Sequence, residues 1–399
     1  MNGSSRTGRL RRTTAGSLLA VVLASACTSS PSNATSAGSS PPPPVVAPAS
    51  PLRSPIVFSR LLPGADEGDL YRIDPGRTDE QRIRSINEWT LSPDGQSFMG
   101  VVLGPDGRLT TAIFKANGSA YHVLPIPDPT LQIGYGSWSP DGSTIASEAW
   151  DDDNPDRIGI YSRRSSDGGG LIRLTDAGTR RDYPIPPPAF SSDGKKLLFF
   201  RPHAKGETGD SAPLDLFVVD ADGGGLLRLT PRGMTSSFIW AGSTVSWSPD
   251  GTEVAFVASR GSFWENRSRS VYVVGADGSG LRRIGPRGDI YDASWSPDGR
   301  WIAFTMASGR IRWDAQHPLQ LFLMHSDGSG VVQLTFANDG LFSLGPKWSP
   351  DSSQLLLARG GGDETMTDIW SVDIDGSDLY PITHAPAGYA FAWLAADGV

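Results

Sequence analysis

Trp295-Ser-Pro-Asp-Gly299 decides how this chain is read, because near-copies of it recur along the sequence. Proline fixes φ near the value a tight turn needs at its first corner. Aspartate bonds back to local amides, and glycine takes the positive φ that closes a bulged hairpin. Copies stand at Leu91-Ser-Pro-Asp-Gly95, Trp138-Ser-Pro-Asp-Gly142, Phe190-Ser-Ser-Asp-Gly194, Trp247-Ser-Pro-Asp-Gly251 and Trp348-Ser-Pro-Asp-Ser352. A drifted copy lies at Trp393-Leu-Ala-Ala-Asp-Gly398. The lead residues follow one another at about 45 to 57 residues, the period of a propeller blade with variable loops.

An apolar run follows the turns, as in Lys196-Leu-Leu-Phe-Phe200, Glu253-Val-Ala-Phe-Val257 and Trp301-Ile-Ala-Phe304. Such runs suit strands covered on both faces. A third strand then ends in a second turn signal, at Asp167-Gly168, Asp222-Gly223, Asp277-Gly278, Asp327-Gly328 and Asp375-Gly376. Short outer strands such as Leu226-Leu-Arg-Leu-Thr230 complete the blades. Ile56-Val-Phe58, Leu70-Tyr-Arg-Ile73 and the segment near Ile83 are second, third and fourth strands without a first, whereas Tyr389 to Trp393 is a first strand with nothing after it. The expectation is an all-β, seven-bladed propeller over residues 56–399, with one blade closed by strands from both termini so that no edge stays open. The 47 Gly and 32 Pro, and the lack of helical patterns, agree with many short strands.

The two turn types together resemble the TolB-type propeller repeat, shared with the propeller portions of the tricorn and prolyl-oligopeptidase families. The resemblance covers nearly all of residues 56–399. It implies a fold and transfers no activity, because the repeat serves scaffolds, peptide-handling domains and carbohydrate-active enzymes alike.

The N-terminus reads as an export signal over residues 1–26: Arg6, Arg9, Arg11 and Arg12 precede an apolar run from Ala15 to Ala26, too short to span a bilayer. Leu23-Ala24-Ser25-Ala26-Cys27 resembles a bacterial lipobox, which implies a lipid on Cys27 and an envelope location outside the cytoplasm; Ala24-Ser25-Ala26 also fits an ordinary signal peptidase site. Residues 27–55, rich in Ser, Pro, Ala and Thr, read as a disordered tether. The formal net charge is −8, and removal of the four leader arginines takes it to about −12, which argues against nucleic acid as a partner.

Chemistry is sparse. No Gly-x-Ser-x-Gly elbow is present, and His122, His203, His317, His325 and His384 form neither a His-Glu-x-x-His motif nor a close pair, so the expectation is no catalytic residue, no metal and no cofactor. Asp151-Asp-Asp-Asn-Pro-Asp156 is the densest set of oxygen ligands, yet it lacks the glycine of an EF-hand loop and reads as a solvated acidic loop. His325, before the Asp327-Gly328 turn, reads as structural.

Both turns of a blade share one end of it, which leaves the long connections for the other face: Thr175 to Ala189, Arg201 to Leu214, Thr230 to Thr244, Ser259 to Ser270 and Met306 to Leu319. Arg181, Tyr183, His203, Trp240, Trp264, Arg267, Tyr291, Arg310 and Trp313, with Arg180, Glu265 and His317, collect there. About half of these are expected to pack loop on loop and the rest to form a rim for a peptide, protein or glycan ligand. The function expected is that of a non-catalytic binding module. The alternative is a carbohydrate-active, polysaccharide lyase-like enzyme working at the channel mouth.

Overall fold

A computed structural model describes residues 52–60, 68–77, 79–176, 183–184, 189–202, 214–236, 245–260, 268–307, 317–336, 340–361, 367–384 and 390–394. Seven antiparallel sheets follow one another in chain order. Blades one to six begin at Asn87, Leu131, Tyr183, Met234, Ile290 and Phe342. The closing blade orders Phe391–Trp393, Ile56–Arg60, Asp69–Ile73 and Gln81–Ser85, with Ile56 opposite Trp393 and Leu394 N donating to Pro55 O at 2.8 Å. The two termini therefore share one sheet, as the orphan strands at both ends required.

Second strands are buried on both faces: Leu197, Leu198, Phe199 and Phe200 are each 0% exposed. Across to the third strand run paired rings, Phe199 on Phe217 at 5.6 Å, Phe304 on Phe322 at 5.5 Å and Phe256 on Tyr272 at 5.8 Å, each directly opposite in register. Stacked cross-strand rings fill the space between neighbouring blades and add to plain area burial.

The turn that sets the repeat is held by its serine as much as by its aspartate. Ser296 Oγ donates to Asp298 Oδ1 (2.7 Å), Asp298 Oδ1 accepts from Arg300 N (3.1 Å), and Ser296 Oγ accepts from Trp301 N (3.0 Å). The same three bonds recur at Ser92, Ser139, Ser191, Ser248 and Ser349. Serine hydroxyls hold Asp94, Asp141, Asp193 and Asp250 below the usual carboxylate range, Asp193 at about 2. Blade six has Ser352 where the others have glycine. Its φ of 60° is offset by an inter-blade bond, Asp298 N to Ser352 Oγ at 3.1 Å.

The tryptophan ahead of the turn ties blades together. Trp247, Trp348 and Trp393 donate their indole N–H to Ala189 O (2.7 Å), Ser294 O (3.0 Å) and Lys347 O (2.9 Å), each in the preceding blade, the last two on its inner strand. Blade one, led by Leu91, moves this role two residues back, to Trp89, which donates to Ser59 Oγ of the closing blade. Trp295 instead bonds within its own turn, to Gly299 O at 3.1 Å.

Two connections differ from the sequence reading. Tyr183–Pro184 and Met234–Thr235 are not loop: they pair with the far ends of the second strands, Tyr183 opposite Phe200 and Met234 opposite Arg260. The inner strands of blades three and four start early. Their Pro- and Ser-rich sequence hides the pairing, because neither piece shows period-two alternation. The one short helix among the described residues is a 3₁₀ turn, Pro155–Arg157.

Candidate binding face

Each blade presents its two hairpin turns at one edge and its remaining connections at the other. At that second edge several blades tie described side chains together, with charged sets that vary from blade to blade. In the closing blade Arg60 Nη2 meets Glu80 Oε1 at 2.8 Å, and its guanidinium lies 5.2 Å from the Tyr71 ring centre. In blade two Arg157 bonds Asp128, Thr130 and Asp151, and this guanidinium holds the Asp128 carboxyl down at about 2. Arg228 Nη2 meets Asp215 Oδ1 at 2.7 Å in blade three, where Thr230 Oγ1 also donates to that oxygen at 3.2 Å. In blade six Thr383 Oγ1 donates to Asp368 Oδ1 at 3.2 Å, and burial raises the Asp368 carboxyl.

The most enclosed set lies where blade four meets blade five. Arg269 (3% exposed) and Asp289 (0%) form an ion pair, with Arg269 Nε to Asp289 Oδ1 at 2.8 Å. Tyr291 lies under it: the guanidinium is 3.7 Å from its ring centre, its hydroxyl donates to Asp289 Oδ2 at 3.4 Å, and burial raises its phenol. Guanidinium on aromatic, desolvated, is worth about 2 kcal/mol or more. Of the residues expected at the rim, Tyr291 stands on the inner strand of blade five, stacked under Arg269 of blade four. Tyr183 stands on the inner strand of blade three. Arg181, His203, Trp240, Trp264, Arg267, Arg310 and Trp313, together with Arg180 and Glu265, lie outside the described residues, as does Cys27.

The inner strands ring the axis and carry a few ionisable groups of their own. Asp292 (1% exposed) accepts from Thr305 N at 2.9 Å and, across the blade boundary, from Gly345 N at 3.0 Å; burial pushes its carboxyl up to about 6. Lys347, half-buried on the next inner strand, is shifted down by burial, with Asp292 opposing. Tyr135 donates to Trp89 O at 3.3 Å, and burial, then Glu88, raises its phenol. These strands carry register shifts at Asn87/Trp89, Ile133/Gly136, Ile290/Asp292 and Leu344/Lys347, bulges that turn side chains out of simple alternation.

The acidic loop is closed on itself. Asp151 Oδ1 accepts from Asp153 N (3.0 Å) and Asn154 N (3.2 Å), its Oδ2 accepts from Arg157 (3.2 Å), and Asn154 caps the 3₁₀ turn. His325 stacks on Trp301, its cross-strand partner, at 4.3 Å. The sequence reading missed Arg269, Asp289, Arg157 and Asp128. Their only signal was opposite charge at separations of 20 and 29 residues, which one sequence does not distinguish from chance.

A family model described as the TolB β-propeller domain matches residues 137–393. No curated protein sequence matches the chain. Among solved structures, the putative TolB from Agrobacterium tumefaciens is 17% identical with a TM-score of 0.47, covering 73% of this chain and 90% of that one. The β-propeller domain of the Trilobed protease from Pyrococcus furiosus is 9% identical with a TM-score of 0.56, covering 83% and 94%. An oligogalacturonate lyase from Vibrio parahaemolyticus is 12% identical with a TM-score of 0.55, covering 78% and 84%. At these identities the likeness is one of fold.

Proposed function

We propose that this chain, which belongs to the TolB β-propeller domain family, is an exported, lipid-anchored, non-catalytic binding module whose ligand is a peptide, a protein or an envelope glycan held at the long-loop edge. One observation carries this reading: in the closing blade, in blades two, three and six, and where blade four meets blade five, ion pairs or hydrogen-bonded sets tie the described side chains at this edge, from Arg60–Glu80 to Arg269–Asp289. Rigid bases under dissimilar loops limit the ordering cost of binding, and that suits recognition by aromatic and arginine anchors.

The test uses the purified mature chain on a glycan array and in a pull-down from envelope extract. Trp264→Ala and Trp313→Ala are expected to weaken retention of the ligand so found at least tenfold with unchanged melting temperature, since truncating one aromatic anchor costs about 2 kcal/mol. Retention that survives both changes but fails when the Asp-Gly turns are altered places the working surface at the other edge. Turnover of uronic-acid oligomers by the purified chain replaces the binding reading with the enzymatic one. For the anchor, mass spectrometry of the mature protein is expected to find a lipid on Cys27; an unmodified chain starting after Ala26, free in the medium, refutes it.

A further inference from the structure

Arg163 is a buried cation without a counter-charge. It lies on the third strand of blade two, opposite Ile145, and is 2% exposed. Nη1 donates to Pro125 O at 3.2 Å, whereas Nε and Nη2 have no partner. Burial lowers its pKa to about 10, and no carboxylate offsets the shift. A guanidinium stays charged in proteins, and an unpaired buried charge costs several kcal/mol, so neutralisation is not its way out.

The seam it faces, between blades one and two, holds other buried polar groups that lack hydrogen-bond partners within the protein. Thr111 Oγ1 and Ser147 Oγ, each 1% exposed, and Trp138 Nε1 are also buried without partners. Alternation places Thr111 on the side of Ile113 and Ser147 on the side of Ile145, and those two isoleucines pack in one cluster with Met99, Leu124 and Trp138. Ser147 also stands where the next three blades carry a phenyl ring: it is five residues after its turn glycine, as are Phe199, Phe256 and Phe304. A hydroxymethyl group fills less of the seam than those rings do. At its turn end the seam opens into a cleft of about 250 Å³ lined by Ser92, Ser97 and Trp138.

We propose that this seam holds a small monovalent inorganic anion, a halide, bound by Nε and Nη2 of Arg163. Asp94 and Asp141 also line the cleft, and their charge opposes the entry of larger, more highly charged ions such as sulfate or phosphate. The ion binds the folded chain only and stabilises it by mass action.

The mature chain is melted at matched ionic strength in sodium chloride, sodium bromide, sodium sulfate and sodium gluconate. The expected result is a melting temperature about 2–5 °C higher in the two halides than in gluconate, saturating with concentration. Arg163→Met, which keeps much of the volume and removes the charge, is expected to abolish the difference. Crystals grown in bromide are expected to show an anomalous peak within hydrogen-bonding distance of Arg163 Nε or Nη2. Equal melting in halide and gluconate, an equal rise in sulfate, or a halide effect that persists in Arg163→Met overturns the proposal. If the methionine variant does not fold, the bromide crystal decides: peaks elsewhere on the surface with none at Arg163 overturn it.

Discussion

The two edges of the ring solve the same problem in opposite ways. At the turn edge one set of three bonds, serine to aspartate, amide to aspartate and amide to serine, is repeated in six blades with little change. At the loop edge one threonine bond recurs, an amide of the third strand donating to Thr175, Thr230, Thr335 or Thr383 Oγ1, but the charged sets around it differ: a bidentate Arg60–Glu80 pair, the Arg157 network, a stacked Arg269–Asp289–Tyr291 set. The difference teaches where the fold is specified. Short-range turn chemistry fixes each hairpin, and the far edge needs only to be fastened somehow, so its residues are free to diverge.

The comparison breaks first at the closing blade, which depends on both edges. Removing residues 390–399 deletes the strand opposite Ile56, Val57 and Phe58 and exposes Trp393's place against Lys347. The expected outcome is loss of the single cooperative transition in calorimetry, since neighbouring blades lose a covered face. Next come single changes at each edge. Arg269→Ala removes the guanidinium paired with the buried Asp289, 0% exposed, and is expected to cost about 3–5 kcal/mol in chemical denaturation. Ser296→Ala removes two short hydrogen bonds at a 0% exposed site and is expected to cost about 1–3 kcal/mol. If the serine change proves the larger, the turn edge carries more of the stability than its short reach implies.

Acid titration separates two kinds of aspartate. Asp193 and Asp128 have folded pKa values near 2, below the ordinary 3.8, so their stabilisation is present above pH 4 and is lost as pH falls from about 4 to 2. Asp292, pushed up to about 6, has the opposite sign: its folded form binds the proton more tightly, so stability declines as pH rises from about 4 to 6. Denaturant midpoints of wild type and Asp292→Asn between pH 4 and 7 are expected to diverge over that window, and parallel curves refute the assignment. The smallest effect is at Asp378, exposed at φ 52° where blades two to five carry Gly170, Gly225, Gly280 and Gly330. Asp378→Gly is expected to change stability by no more than about 1 kcal/mol, as a gain, read from the same midpoints.

The ring of blades was legible in the sequence because Pro, Asp and Gly act within a few residues of where they stand. The serine of the Ser-Pro-Asp-Gly turn holds both the aspartate and the next strand, and it was assigned no role from the sequence, because its partner there is an amide that any residue supplies. The indole bonds of Trp247, Trp348 and Trp393 were not visible either: their acceptors are carbonyls of another blade, chosen by packing and not by residue type. Tyr291 was singled out as an aromatic on a long-loop face, but its stacking under Arg269 depends on a partner 22 positions away that carries no local mark. Tyr183 and Met234 were read as loop because strand pairing of two residues leaves no period to detect.

The closing blade has a mechanical consequence. The chain enters the ring through Leu52, 4% exposed, and Arg53, bonded to Gln354 and Asp373 of blade six, and continues straight into Ile56–Arg60. That strand is flanked on one side by Asp69–Ile73 and on the other by Phe391–Trp393, both antiparallel to it. A force drawn along the N-terminal segment therefore acts parallel to the strand, and loads both ladders in shear. The bonds share the tension and yield together, whereas a terminal strand pulled from a sheet edge unzips one bond at a time.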